Sequence, residues 1–240
     1  MASFSQATSK PQESFYMLDE NLKGSTQEKA KFFIHAVKEN DTSWLFDTYN
    51  IYGPLVSSEH YKDEKATVLH GSCLYFNKKG KVDSSGDFSD NLQNGSWYYI
   101  NSKGKAFLQK DFRMGQVIAT KDLMIPKEER KNKNKNEEDI EVESDFPGGV
   151  RGWSVYLNKN IQYPERAENV HKEGEVIVQF IVDTEGKVNK AEVVQSIEYS
   201  LDQEALRIIK ESPQWIPASI NGKKVKSYKK QPITFIFPIN

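Results

Sequence analysis

The clearest pattern in the chain runs from Gly174 to Gln195. Val176, Val178, Phe180 and Val182 fall on one face of an extended segment, and Glu175, Ile177, Gln179 and Ile181 fall on the other. Asp183-Thr184-Glu185-Gly186 then supplies turn chemistry, so Lys187 onward returns antiparallel. The returning strand slips phase between Val188 and the pair Ala191 and Val193, which predicts a bulge. A dry face of this length needs a cover, and the flanking sequence supplies two helices. Trp153, Tyr156 and Leu157 repeat at helical spacing after Gly148-Gly149, and Leu201, Ala205, Ile208 and Ile209 form a second stripe behind a capping-box pattern at Ser200 and Gln203. Pro164 also fits the start of a short helix over Ala167. Pro213 stops the second stripe, Trp215-Ile216-Pro217 anchors the exit, and Asn221-Gly222 makes a turn. The chain closes on a strand, Pro232 to Phe237, preceded by lysines between Lys223 and Lys230.

The N-terminal half carries a different pattern. Phe15 to Leu18 is a short apolar run, and Lys31 to Lys38 alternates with apolar residues on both faces. Strand is the preferred reading of that second run, although Ser25-Thr26-Gln27-Glu28 would also cap a helix. A shift of 24 residues superposes Gly71-Ser72 on Gly95-Ser96, Tyr75 on Tyr99, Asn77 on Asn101, Lys79-Gly80-Lys81 on Lys103-Gly104-Lys105, and Asp87-Phe88 on Asp111-Phe112. A weaker copy lies 27 residues upstream, with Asn50 on Asn77 and Gly53 on Gly80, its three surplus residues falling between Tyr61 and Gly71. Each unit reads as aromatic strand, Asn-x-x-Gly turn and second strand, and three such hairpins in series form an antiparallel meander. These units resemble the MORN-like repeats of the YwqK family. The resemblance implies a scaffold or spacer sheet, or a binding face that uses exposed Tyr and Trp.

Composition sets the boundaries. The 240 residues suit two domains. Residues 1–14 read as a disordered start, 15–120 as the β-repeat domain, 121–145 as a linker with a basic block from Arg130 to Lys135 and an acidic one from Glu137 to Asp145, and 146–240 as the second domain. With 33 basic against 34 acidic residues no overall charge favours nucleic acid, and the acidic block would compete for the lysines of KNKNK. The lone Cys73 excludes an internal disulfide. No apolar run reaches the ~20 residues of a membrane helix; the polar start also fits a chain whose signal peptide has been removed.

The ordered set Tyr163-Pro164, Glu173-Gly174-x-Val176-x-Val178-x-Phe180-x-Val182, Asp183-x-x-Gly186-x-Val188, Ala205, Trp215-x-Pro217 and Phe235 resembles the TonB C-terminal domain over Phe146 to Phe237. The opening Phe146-Pro147-Gly148-Gly149 is similar to the Bacteroidetes-type version, while Ala218 stands where the family usually has glycine. The resemblance implies an α+β domain with two helices on a three-stranded antiparallel sheet, located in the periplasm. It implies a partner as well, the N-terminal TonB box of an outer-membrane transporter, gripped as an added strand. On that basis the peptide-binding positions are Lys229, Lys230, Gln231, Pro232, Ile233, Thr234, Phe235, Ile236 and Phe237, supported by Tyr163 and Pro164. Strand alternation sends Ile233, Phe235 and Phe237 into the core and leaves the backbone as the recognition element. The lysine cluster is open to two readings, steering of an acidic partner or protection of the edge against aggregation.

A full TonB also has a membrane helix that recruits inner-membrane proton-channel partners, and a Pro-rich linker, neither of which this sequence contains. The competing expectation is therefore a secreted or periplasmic interaction module without energy coupling. The exposed last strand makes a strand-exchanged dimer a third partner. Catalysis is not expected, nor a cofactor or metal. His35, His60, His70 and His171 lack metal-ligand spacing, and His60 and Glu64, four apart in a strand and turn, do not converge.

Overall fold

The computed structural model describes residues 12–124 and 140–237. The expected disordered start therefore falls almost wholly, and the core of the expected linker entirely, outside the described residues. The chain divides into two compact units, one holding most of the N-terminal strands and the other Tyr52–Leu55, Asn77–Val82 and the residues from Met124 onward.

The first unit is a nine-stranded antiparallel meander in sequence order: β1 (Glu13–Leu18), β2 (Phe32–Asn40), β3 (Ser43–Asn50), β4 (Leu55–Tyr61), β5 (Leu69–Phe76), β6 (Val82–Ser89), β7 (Leu92–Ile100), β8 (Ala106–Arg113) and β9 (Gln116–Asp122). Lys31 to Lys38 is thus strand, and the three repeat copies are the hairpins β3–β4, β5–β6 and β7–β8. Their turns are built by one device. The Asn77 side-chain carbonyl accepts from the backbone N–H of Lys79 and Lys81, and Asn101 does the same for Lys103 and Lys105. After the second and third repeats the chain reverses in two-residue turns with both residues left-handed, at Asp90-Asn91 and Met114-Gly115.

One face of this sheet carries two aromatic clusters. Ala36, Trp44 and Phe46 are joined by Ile34, Tyr61 and Ala66, and Cys73, Trp97 and Phe112 by Tyr75, Phe88 and Tyr99. Trp97 lies flat across Gly86, where a Cβ would stand 2.4 Å from the indole ring, so residue 86 must be glycine for the tryptophan to rest on the sheet. The indole N–H donates to the Asp87 carbonyl (3.1 Å). Between the clusters sits Glu59, whose carboxylate accepts from the hydroxyls of Tyr75 (2.7 Å), Tyr61 (3.3 Å) and Ser57 (3.4 Å). Burial and the Glu59 charge push both phenols well above their usual range. Elsewhere in this sheet, Phe15 stacks on Phe33 and on His35, and His35, buried, meets Glu13 at 2.9 Å.

The second unit is α+β. Helices α1 (Gly149–Asn160), α2 (Glu165–Asn169) and α3 (Tyr199–Lys210) accompany a three-stranded antiparallel sheet of β11 (Gly174–Val182), β12 (Val188–Gln195) and β15 (Ser227–Phe235), in the order β12-β11-β15. A smaller sheet joins β10 (Glu141–Val142), β13 (Ala218–Ile220) and β14 (Lys223–Val225). The end of the segment read as linker thus contributes a strand, and Asp145 bridges Ile216. The phase slip in β12 is a bulge, with Lys190 left-handed and the register to β11 shifting between Gln179 and Ile181.

Val176, Val178, Phe180 and Val182 are fully buried against Leu201, Ala205, Ile208 and Ile209 of α3. Trp215 sets its ring edge-on to Phe180 (5.0 Å) and Phe146 (5.2 Å), its indole N–H donates to the Ser212 hydroxyl (2.9 Å), and its backbone N–H donates to the Gly186 carbonyl (2.9 Å). A Cβ at Gly186 would stand 2.1 Å from the Trp215 carbonyl oxygen, so the hairpin turn and the post-helix anchor lock through a glycine. The α3 cap differs from the capping box read at Ser200. Glu198 is the N-cap, its carboxylate accepting from the Ser200 N–H (2.8 Å) and hydroxyl (2.6 Å) and meeting Arg166 at 2.5 Å. The longer side chain reaches both the helix end and the guanidinium of α2, which Ser200 cannot do.

Candidate functional site

The free edge of β15 is the candidate site in the second unit. Its ladder with β11 runs without interruption from Ser227 opposite Val182 to Phe235 opposite Gly174, and among the described residues no strand pairs with its other side. Pro232 fixes which backbone groups point where. Proline has no N–H, so its pairing with Ile177 is a non-hydrogen-bonded one. Alternation then directs the N–H and C=O of Tyr228, Lys230 and Thr234 to the open edge, with only a C=O from Pro232 between them. Ser227, Lys229, Gln231, Ile233 and Phe235 turn theirs to β11.

Side chains follow the same parity. Ile233 and Phe235 are core residues, while Lys230, Pro232 and Thr234 are exposed on the outer face and Tyr228 is 74% exposed. Lys229 and Gln231 lie half-buried on the inner side, where the Lys229 ammonium donates to the Ser144 carbonyl (2.7 Å) and the Ser227 hydroxyl to that of Ser144 (3.0 Å). Lys229 is therefore committed to the fold, and Lys223, Lys224, Lys226 and Lys230 remain on the surface.

The strand differs from the sequence reading at both ends. It begins at Ser227 rather than Pro232, so the lysine run contributes its first half, and Ile236 and Phe237 lie beyond its end. Polar residues at its inward positions hide the first half from an apolar-periodicity search, and Tyr228 was missed with it. The spacing of Tyr228, Lys230, Pro232 and Thr234 at every second position is the signal that marks the outer row.

Tyr163 and Phe237 come together as a clasp. The Tyr163 ring meets Phe235 (6.2 Å) and Phe237 (5.9 Å) edge-on, its hydroxyl donates to the Lys172 carbonyl, and His171 stacks on Phe237 at 5.1 Å. Burial, with the Glu173 and Glu168 carboxylates, pushes the Tyr163 phenol above its usual range. Pro164 caps α2 instead of touching the strand's edge. Among the described residues no group of three His, Cys, Asp or Glu side chains is placed to hold a metal, and His60 pairs with Glu39 rather than Glu64.

Residues 159–237 match the family model of the Gram-negative bacterial TonB protein C-terminal. The TonB-like segment thus begins inside α1 and ends at Phe237, taking in β11, β12, α3 and all of β15, with Phe146 and Trp153 outside it. Among solved structures, the solution structure of the Helicobacter pylori TonB C-terminal domain is 24% identical, covering 36% of this chain and 78% of that one, at a TM-score of 0.28. No curated protein matches.

Proposed function

We propose that this is a periplasmic TonB-like protein that takes up the N-terminal TonB box of an outer-membrane transporter as a fourth strand along β15 and transmits energy for uptake. The open row of backbone groups on β15, inside the segment similar to the TonB C-terminal, is the observation that carries the reading. An added strand would gain main-chain hydrogen bonds from Tyr228, Lys230 and Thr234, with specificity from the exposed side chains of the same residues and of Ile236. Tyr163, Phe235 and Phe237 act as the clasp that holds the end of β15 in place. Inner-membrane proton-channel proteins are the partners that energy transmission requires. In this reading the meander is a MORN-like, YwqK-type module of a Bacteroidetes-type relative and presents the binding domain or a second face.

A peptide carrying a cognate TonB box, titrated into isotope-labelled full chain, should shift or broaden the amide signals of Tyr228, Lys230 and Thr234 and slow their hydrogen exchange. Changes confined to residues 44–115 would rule out the edge as the binding site. Pro232→Ala restores a donor to the row and should tighten the peptide or promote strand-exchanged dimers, and sedimentation distinguishes the two.

A further inference from the structure

The meander departs from its own period in one place, and a cleft of about 530 Å³ lies there. The connections after β6 and β8 are two residues long, whereas β4 and β5 are joined by residues 62–68, the site of the surplus that lengthens the first repeat to 27. Asp63 makes this loop a fixed structure: its carboxylate accepts from the N–H groups of Lys65 (3.0 Å), Thr67 (3.1 Å) and Val68 (3.0 Å) and from the Thr67 hydroxyl (2.8 Å). Ala66, held at a φ of 53°, packs on the Trp44 and Phe46 cluster. The loop thereby lines one cleft together with Ile34, Phe46, Tyr61 and Tyr16. Insertions in repeat sheets commonly build the face that binds, and this volume falls in the usual range for small-molecule sites.

The polar groups of the cleft have one dominant sign. Glu59 reaches it from β4 and Glu64 from the loop, against the single cation of Lys65, which is exposed. Among the described residues neither glutamate sits in an ion pair. Three hydroxyls hold the Glu59 carboxylate in place, and its two oxygens retain acceptor capacity for a further donor in the cleft. Phe46 and Tyr61 meet edge-on at 5.1 Å, and Tyr16 is 39% exposed, so aromatic rings line the space in front of the carboxylate.

We propose that this cleft binds a small organic monocation, an ammonium group on an apolar or aromatic body, with the charge at Glu59 and the body against Phe46, Tyr61 and Tyr16. The two glutamates less one lysine leave a net single negative charge, which sets the ligand's valence.

The test uses 2-phenylethylammonium as probe on the full chain, with neutral 2-phenylethanol and anionic 3-phenylpropionate as controls, followed by calorimetry and amide NMR. The ammonium should bind saturably, at least tenfold more tightly than either control, with shifts centred on residues 59–66. Glu59→Gln should weaken it at least tenfold and Glu64→Gln by less, since Glu64 is exposed. Tyr16→Ala, at an exposed ring, should lower affinity without disturbing the fold and serves if Glu59→Gln fails to fold. Absence of saturable binding, equal binding of the three probes, or unchanged affinity in folded Glu59→Gln or Tyr16→Ala overturns the proposal. None of these outcomes depends on β15, so the cleft and the strand edge stand or fall separately.

Discussion

Phe180 and Trp97 are both buried, yet by different means. Phe180 lies at the centre of one continuous core, with α3 over its face and Trp215 at its edge. Trp97 is ringed by Tyr75, Phe88 and Phe112, all from its own sheet, and rests on a glycine. One unit thus buries apolar surface between layers, and the other folds large side chains down onto a single layer. A layered core is sensitive to lost volume anywhere within it, whereas a single-layer cluster is sensitive to the few contacts that let each ring lie flat.

The strongest way to break this comparison is Phe180→Ala, which should cost about 4 kcal/mol by leaving a cavity that the packed layers cannot close, read from denaturant midpoints. Glu198→Ala should follow at about 2–3 kcal/mol, since it removes the α3 cap and one carboxylate partner of Arg166; that guanidinium is a third exposed, which limits the loss. Smaller, about 2 kcal/mol, is Gly86→Ala, which lifts Trp97 off the sheet and should shift its fluorescence to longer wavelength while the second unit stays unchanged. The same change gives a chemical readout. Burial pushes the Cys73 thiol up to about 12, so in the parent protein it should resist alkylation at pH 8, and the alanine variant should react faster.

The smallest effect is one of pH. Burial lowers the His60 pKa, but hydrogen bonds to Glu39 (3.4 Å) and the Ser72 carbonyl (2.7 Å), with the nearby carboxylate charges, outweigh it and raise the value above 6.5. A raised folded-state pKa means stability that is fully present below pH 6.5 and lost as pH rises through the folded value. The difference should stay below about 1 kcal/mol for so exposed a pair, and His60→Gln should flatten the profile. A parent stability independent of pH between 5.5 and 8 would remove His60 from the account.

Local chemistry was legible and long-range pairing was not. Asn77, Asn101 and Asp183 each build the same turn from their own side chain and the next few N–H groups, so the hairpins could be read directly. The apolar stripe of α3 and the bulge in β12 were likewise written in their periodicity. The first half of β15 was invisible because its inward residues are held by Ser144, more than eighty positions away, and polar side chains of that kind carry no periodic signature. The strands β10, β13 and β14 depend on similarly distant pairing. At the candidate edge the sequence offered the strand, Tyr163 and the inward direction of Ile233 and Phe235, but started the strand too late to include Tyr228 in its outer row. Parity alone settles which side a residue faces, and parity cannot be counted until the start of the strand is known.

The serial order of the meander has a bearing on how such a chain can change over generations. Each strand bonds the strands next to it in sequence, and a repeat contributes two of them. In-frame loss of one 24-residue copy would bring Gly95 to the place of Gly71 and leave every remaining strand running in its present direction. Gain of a copy is equally conservative. The number of hairpins is therefore free to drift in a gene of this kind without altering the order in which the remaining strands pair.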